Sequence, residues 1–227
     1  RQFMKLLLDT ANVTEIKEAA GYYPICGVTT NPSIISREES DFFETLKKIR
    51  SIIGEDQMLH AQVTAHKAEG MIEEAKRMKD ELGKNFYVKI PATKEGIKAI
   101  MELKSREFQV TATAVVSAKQ GLIAAMAGAD FVAPYVNRID HHGGDGIKTA
   151  ADLTKVFREH HLSAKILAAS FKNTKQVFDN ALSGSYSATV PLQIMEDMLK
   201  HPLTDTSLET FDSDWKAAYG EKHITDF

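Results

Sequence analysis

Cysteine is almost missing from this sequence: one residue, Cys26, stands in the apolar run ICGVTT. A single thiol rules out an internal disulfide and points to a reducing, cytoplasmic compartment, with Cys26 serving most simply as a small core side chain. Long apolar runs are missing as well. No stretch is long enough to span a bilayer, no signal-peptide pattern is visible, and the opening RQF ahead of Met4 reads as an addition to the fold. Charge of one sign is also lacking: a formal net charge of −3 over 227 residues gives no pull toward nucleic acid or a membrane surface. There is no low-complexity linker and no internal repeat beyond a rhythm of short and long segments. Glycine is absent where a dinucleotide fold needs it, since DTANVTE follows the first apolar run without one.

What is present is that rhythm. Short β-rich apolar runs, KLLLD, ICGVTT, MLHAQV, NFYVKI, FQVTATAV, DFVAPYV, AKILAAS and YSATV, alternate with longer helix-periodic segments. Asn12 and Glu15 have the spacing of a capping box ahead of VTEIKEAA. Met71, Ala75, Met78 and Leu82 recur at helical spacing before Gly83, as do Val177, Phe178, Ala181 and Leu182 before Gly184, and Pro191 suits a first helical turn. Strand-helix alternation calls for parallel strands with crossover helices. Eight such units in this length close into a single (β/α)8 TIM barrel, with a doubly wound open sheet as the alternative. The expected organisation is a barrel domain over 4–203 and a C-terminal helical extension over 204–227. In the extension Leu208, Phe211, Trp215 and Tyr219 form a stripe that covers either the chain's own barrel or a neighbouring subunit.

Barrel enzymes carry their chemistry at the C-terminal strand ends. Those ends hold Asp9, Thr29, Thr30, Asn31, Gln62, Lys89, Thr113, Tyr135, Asn137, Arg138 and Ser170, a polar set that must bond among itself or hold a ligand. Lys89 stands out inside the apolar run NFYVKI, two residues before Pro91. An amine kept in an apolar pocket gives up its proton more readily and can attack a ketone, forming a Schiff base that draws electrons from an adjacent carbon–carbon bond. A structural pair with Asp9, or a side chain reaching out to the barrel rim, accounts for the same lysine. Schiff-base chemistry needs proton transfer, for which Asp9 and Tyr135 are candidates, with Thr113 and Gln62 holding a water. Asp9 as a helix cap and Tyr135 as core or lid are the plainer alternatives. Arg138 and Ser170, after strands six and seven, suit a phosphoryl dianion, although Asp140 or Asp145 would also pair with Arg138. The pairs His141–His142 and His160–His161 point in divergent directions and lack further ligands, so no metal site is expected. The glycines of HHGGDG read as a flexible loop able to fold over substrate.

The strings LLLDTANV, GVTTNPSII, AQV, VKIPAT, TATAV, VAPYVNRID, LAASFK and DWKAAYG, in that order along nearly the whole chain, resemble the fructose-6-phosphate aldolase and short transaldolase family of class I aldolases. The resemblance implies a (β/α)8 barrel with Lys89 as the Schiff-base residue and Asp9, Gln62, Thr113 and Tyr135 around a catalytic water. It further implies Asn31 positioning the substrate, joined by Thr29, with Arg138 and Ser170 on its phosphate. No metal or organic cofactor is implied, and the partners are sugar phosphates and further copies of the chain, in decamers whose C-terminal helix reaches a neighbour. Gln62 and Tyr135 favour an aldolase cleaving fructose 6-phosphate, because transaldolases typically carry glutamate and phenylalanine there. A transaldolase passing dihydroxyacetone between aldose phosphates is the alternative, and a non-catalytic sugar-phosphate sensor a remote one. His60 and Val116 depart from the family pattern, where aromatic residues stand. Val116 is expected to widen the pocket for larger or unphosphorylated acceptors.

Overall fold

The computed structural model describes residues 3–227. Its elements in chain order are β1 (Lys5–Asp9), α1 (Val13–Tyr22), β2 (Ile25–Thr29), α2 (Pro32–Ile35), α3 (Phe42–Ile53), β3 (Met58–Gln62), α4 (Ala68–Leu82), β4 (Phe86–Pro91), α5 (Lys94–Ser105) and β5 (Val110–Val115). Then follow α6 (Ala118–Met126), β6 (Phe131–Pro134), α7 (Val136–His141), α8 (Gly146–Glu159), β7 (Lys165–Ala168), α9 (Thr174–Leu182), β8 (Ser187–Val190), α10 (Leu192–Leu199) and α11 (Pro202–Tyr219). The strands pair in parallel in sequence order, and β8 returns to β1 to close the barrel. The open-sheet alternative is thereby excluded.

Strand alternation separates two sets of side chains. Leu8, Val28, Leu59, Val88, Val110 and Val132 face outward into the helix layer, where Ile16, Leu46, Met71, Ile100 and Leu153 meet them in one continuous core. Leu7, Met58, Phe131 and Leu167 face inward and, with Cys26, Tyr87 and Tyr186, fill the lower barrel. The Cys26 thiol donates to the Leu6 carbonyl at 3.4 Å, and burial pushes its pKa up. It sits half-buried in that packing, as a small core residue should. Above this apolar plug the inward positions turn polar, with His60, Gln62, Lys89, Thr111 and Thr113 on β3, β4 and β5.

The helices start where local chemistry starts them. Asn12, Asp41, Thr93, Ser117, Asp145 and Asn173 each accept backbone N–H groups at an N-cap. The capping box expected of Asn12 and Glu15 is only half formed. Asn12 Oδ1 accepts from Thr14 and Glu15, but the Glu15 carboxylate takes the Thr10 hydroxyl at 2.6 Å instead of the cap's own N–H, which bonds Thr10 Oγ1 at 3.1 Å. Pro191 is the N-cap of α10, with extended backbone, one step before its expected place. Predicted strands are trimmed at their ends: β6 stops after Pro134, with Tyr135 keeping one bridge to Ala169 as α7 begins, FQVTATAV enters the sheet only at Val110, and AKILAAS is a strand only over Lys165–Ala168.

The last helix differs from all the rest. None of the residues of α11 is buried, and Leu203, Leu208, Phe211 and Tyr219 are exposed. Its far end folds on itself, with the Trp215 ring 4.7 Å from Tyr219 and 6.3 Å from Phe227, and Trp215 Nε1 donating to the Lys222 carbonyl. The chain's own barrel does not cover the apolar stripe. Among the described residues no helix is long and apolar enough to cross a membrane.

Candidate active site

A cavity of about 790 Å³ opens at the C-terminal ends of the strands. Asp9, Asn31, Gln62, Lys89, Tyr135, Arg138 and Ser170, all named from the sequence, line it. Parallel strands and inward alternation bring them there: Asp9 ends β1, Gln62 ends β3 and pairs in register with Lys89 on β4, and Tyr135 follows β6.

Lys89 is 5% exposed. Its Nζ donates to the Thr30 carbonyl at 2.9 Å, so a backbone oxygen, rather than an ion pair with Asp9, sets the direction of the amine. Thr30 is in turn fixed by its N–H and its hydroxyl, both donating to the His60 carbonyl at 3.0 and 2.9 Å. Asp9 lies at the cavity floor, where burial pushes its carboxyl above the ordinary carboxylate value, partly offset by the Lys89 charge and by a bond from Thr29. Thr29 Oγ1 donates to Asp9 Oδ1 at 2.8 Å and also bonds the Thr189 hydroxyl of β8. The run TTN at the end of β2 therefore divides its work. Thr29 holds the carboxyl, the Thr30 carbonyl holds the amine, and Asn31 caps α2 by accepting from Ile34 N at 2.9 Å.

On the opposite wall the Tyr135 hydroxyl bonds Thr113 Oγ1 at 2.7 Å. Thr113 itself is fully buried, in register with Pro91. Gln62 Oε1 is buried with no protein partner, so no hydrogen bond to it fixes the orientation of its amide. Arg138 is exposed at the rim, its guanidinium 5.8 Å from the Tyr135 ring centroid. Among the described residues neither Asp140 nor Asp145 pairs with it: Asp140 accepts from Gly146 N at 2.7 Å and Gln176 Nε2 at 3.1 Å, while Asp145 caps α8. Ser170 has φ 63, a left-handed conformation unusual for serine, and its carbonyl accepts from Asn137 N at 2.7 Å. Strain of this kind concentrates at ligand sites.

Several expectations fall elsewhere. Thr29 is fully buried and lies outside the cavity lining, its hydroxyl committed to Asp9 and Thr189. Val116 is 44% exposed and is also outside the lining, its N–H bonded to Gln120 Oε1 at 3.0 Å, so it does not widen this cavity. The HHGGDG segment is pinned rather than free. Gly144 N donates to the Ile139 carbonyl at 3.0 Å, Gly146 N to Asp140, and His142 Nδ1 to the Arg138 carbonyl at 2.8 Å. The rings of His141 and His142 stand at 78° to one another, and among the described residues no group of three or more His, Cys, Asp or Glu side chains could hold a metal ion.

The model of the family described as Transaldolase/Fructose-6-phosphate aldolase matches residues 6–226 of this chain. The chain belongs to that family. It is therefore of an aldolase/transaldolase type, on the barrel that this type of sequence implied. Two solved structures of a doubly substituted flavocytochrome b2, one with sulfite bound and one with pyruvate bound, are similar at 10% identity with TM-scores of 0.59 and 0.60. Each match covers 84% of this chain and 56% of the other, so the chain spans little more than half the length of those proteins, and the likeness is one of fold alone.

Residues that the strand-end reading passed over also line the cavity. Arg37 comes from the 3-10 turn Ser36–Glu38 after α2, Lys172 follows Ser170, and Glu15 and Glu38 close the side nearest α1. Loop and turn residues such as Arg37, Glu38 and Lys172 have no periodicity to betray them. Lys172 had a signal in its place after Ser170 in LAASFK, and Glu15 in its capping-box spacing from Asn12.

Proposed function

We propose that this member of the family is a Schiff-base aldolase that cleaves or forms fructose 6-phosphate from dihydroxyacetone and glyceraldehyde 3-phosphate. One observation carries the reading: the almost fully buried Lys89 amine opens onto the same cavity as Asp9, Gln62, Tyr135, Arg138 and Ser170. In this reading Lys89 attacks the substrate ketone, and loss of water from the carbinolamine gives an iminium. The adjacent carbon–carbon bond then breaks as the neighbouring hydroxyl gives up its proton, leaving an enamine on Lys89 and a free aldehyde phosphate. Protonation of the enamine and hydrolysis release dihydroxyacetone. Asp9 and Tyr135 carry the protons, helped by a water held by Gln62 and Thr113. Asn31 positions the sugar, while Arg138 and Ser170 bind its phosphate. The partners are sugar phosphates, no cofactor takes part, and the exposed face of α11 packs on further copies of the chain in a ring assembly of the decameric kind.

Tyr135 separates the aldolase from the transaldolase, because a hydroxyl beside the imine supports its hydrolysis before an acceptor arrives. The test is release of glyceraldehyde 3-phosphate from fructose 6-phosphate through a coupled dehydrogenase, with and without erythrose 4-phosphate. Steady release without acceptor is expected. Release only with acceptor would make the protein a transaldolase, and absence of borohydride-trapped mass on the Lys89 peptide with dihydroxyacetone would leave only a sugar-phosphate binder.

A further inference from the structure

Thr189 stood in no list of strand-end residues, yet it lies 2% exposed in the barrel interior on β8 and meets Thr29 of β2 hydroxyl to hydroxyl. The two strands flank β1. Asp9 is in register with Thr29 on one side, and Leu7 with Thr189 on the other, so the two hydroxyls meet across the inner face of β1 just below the Asp9 carboxyl. Proton counting fixes the direction of this contact. Thr29 has a single proton and donates it to Asp9 Oδ1 at 2.8 Å, so the bond between the two threonines must be donated by Thr189. We propose that Thr189 is a positioning residue: by donating to Thr29 it commits the one Thr29 proton to Asp9, and so holds the carboxyl in its orientation toward the Lys89 pocket.

Three features support the assignment. Were Thr189 absent, Thr29 would lose the donor to its oxygen and with it the bond that fixes the rotation of its hydroxyl, which otherwise turns to suit its partners. Hydrogen bonds in a chain polarise one another, so a donor behind Thr29 strengthens its bond to a carboxylate. Lys89 on β4 is the charged group acting on Asp9, whereas β2 presents the Thr29 hydroxyl to it and β8 presents the Thr189 hydroxyl to Thr29, which leaves this pair of threonines as the remaining control on its charge. The inference rests on the role proposed for Asp9 as a proton carrier, but the contact can be tested without it.

The experiment is an infrared pH titration of the full-length protein, following the protonated-carboxyl stretch assigned to Asp9 by its loss in Asp9→Asn. Thr29→Val removes the donor outright and should move the Asp9 midpoint up by about one pH unit, Thr189→Val by about a third of a unit in the same direction, and Thr189→Ser should restore it. In parallel, the pH profile of imine trapping with dihydroxyacetone and borohydride should move with the same order of variants. A Thr189→Val midpoint equal to that of the unmodified protein makes Thr189 a space-filling residue. A midpoint moved down reverses the bond, with Thr29 donating to Thr189, and either result overturns the proposal. If no variant traps an imine while the infrared midpoints move as stated, the contact stands and the aldolase reading fails.

Discussion

His60 offers a measurable consequence of the polar barrel interior. It is fully buried on β3, its ring stacked on Tyr87 at 4.7 Å and edge-on to Phe131 at 5.6 Å, and its Nδ1 is 2.9 Å from Thr111 Oγ1. Its Nε2 is buried with no protein partner. Burial, with the nearby charges of Lys89 and Arg50 adding to it, holds its pKa well below the ordinary value of 6.5, so the ring is neutral in the folded protein. Unfolding frees it to titrate. The unfolded state therefore binds more protons below pH 6.5, and stability supplied by the neutral ring is present above that value and lost as pH falls. At about 1.36 kcal/mol per pH unit for one proton, going from pH 7 to pH 5 removes about 2 kcal/mol through His60. The perturbation is His60→Phe, which keeps the stacking, removes the titration, and exchanges the Thr111 bond for relief of the unpartnered nitrogen, two effects of about 1–3 kcal/mol each that oppose one another. Denaturant unfolding at fixed protein concentration should give a stability at pH 7 within about 1 kcal/mol of the unmodified protein, and a loss between pH 7 and pH 5 smaller by about 2 kcal/mol. Equal losses in both proteins would refute the reasoning, because the ring would then be titrating alike in the folded and unfolded states.

Further outcomes follow from other contacts. Lys89→Met should abolish fructose 6-phosphate cleavage and borohydride trapping while the thermal transition remains cooperative, since the methionine fills the same buried channel above the apolar plug. Arg138→Ala should raise KM for fructose 6-phosphate by about 10- to 100-fold, the loss of a charge-assisted bond of about 1.5–3 kcal/mol, and leave the rate with unphosphorylated dihydroxyacetone and glyceraldehyde nearly unchanged. Arg50 gathers the carbonyls of Gly54, Gln57, Leu82 and Lys84 at 3.0, 2.8, 3.3 and 2.7 Å at the far end of the barrel. Arg50→Met should lower stability by about 2 kcal/mol in denaturant unfolding without changing KM. A double substitution, Leu208→Asp with Phe211→Asp, should shift the sedimentation profile toward smaller species with the barrel's circular dichroism intact, because these side chains are exposed and support nothing in their own subunit.

The barrel was legible because its strands are short apolar runs separated by helix-periodic segments, and Asn12 announced the first of those helices. The lining of the candidate site was legible wherever a polar residue broke an apolar run at a strand's end, as Lys89 and Gln62 do. It was not legible where only the parity of a strand decides. In YSATV the consecutive residues Ser187, Ala188 and Thr189 are small on both faces, so their size does not say whether Thr189 looks into the barrel or Ala188 does; closure against β1 decides it. The same limit hid the direction of Thr29, whose hydroxyl faces Asp9 rather than the cavity. Val116 misled for a related reason. The register shift between β5 and β6 after Ala112, with Ala114 at φ 54, carries the chain out of the sheet before residue 116 can face the cavity.

The interior of this barrel is layered by polarity, and the layering explains how the amine of Lys89, the nucleophile of the proposed reaction, can be buried in it. Leu7, Met58, Phe131 and Leu167 form an apolar floor, and His60 with Thr111 forms a neutral polar step above it. Lys89 rests on that step, tethered not by a carboxylate but by the Thr30 carbonyl. A tight ion pair with Asp9 would hold the ammonium and the carboxylate in mutual neutralisation, and each would be a poorer proton carrier. A carbonyl tether orients the nitrogen without holding a counter-charge against it, and the Thr189–Thr29 pair does the same for Asp9 from the other side. The two groups are thus oriented independently, each by uncharged partners supplied by the end of β2 and by β8. That independence lets either one change its charge without releasing the other from its place.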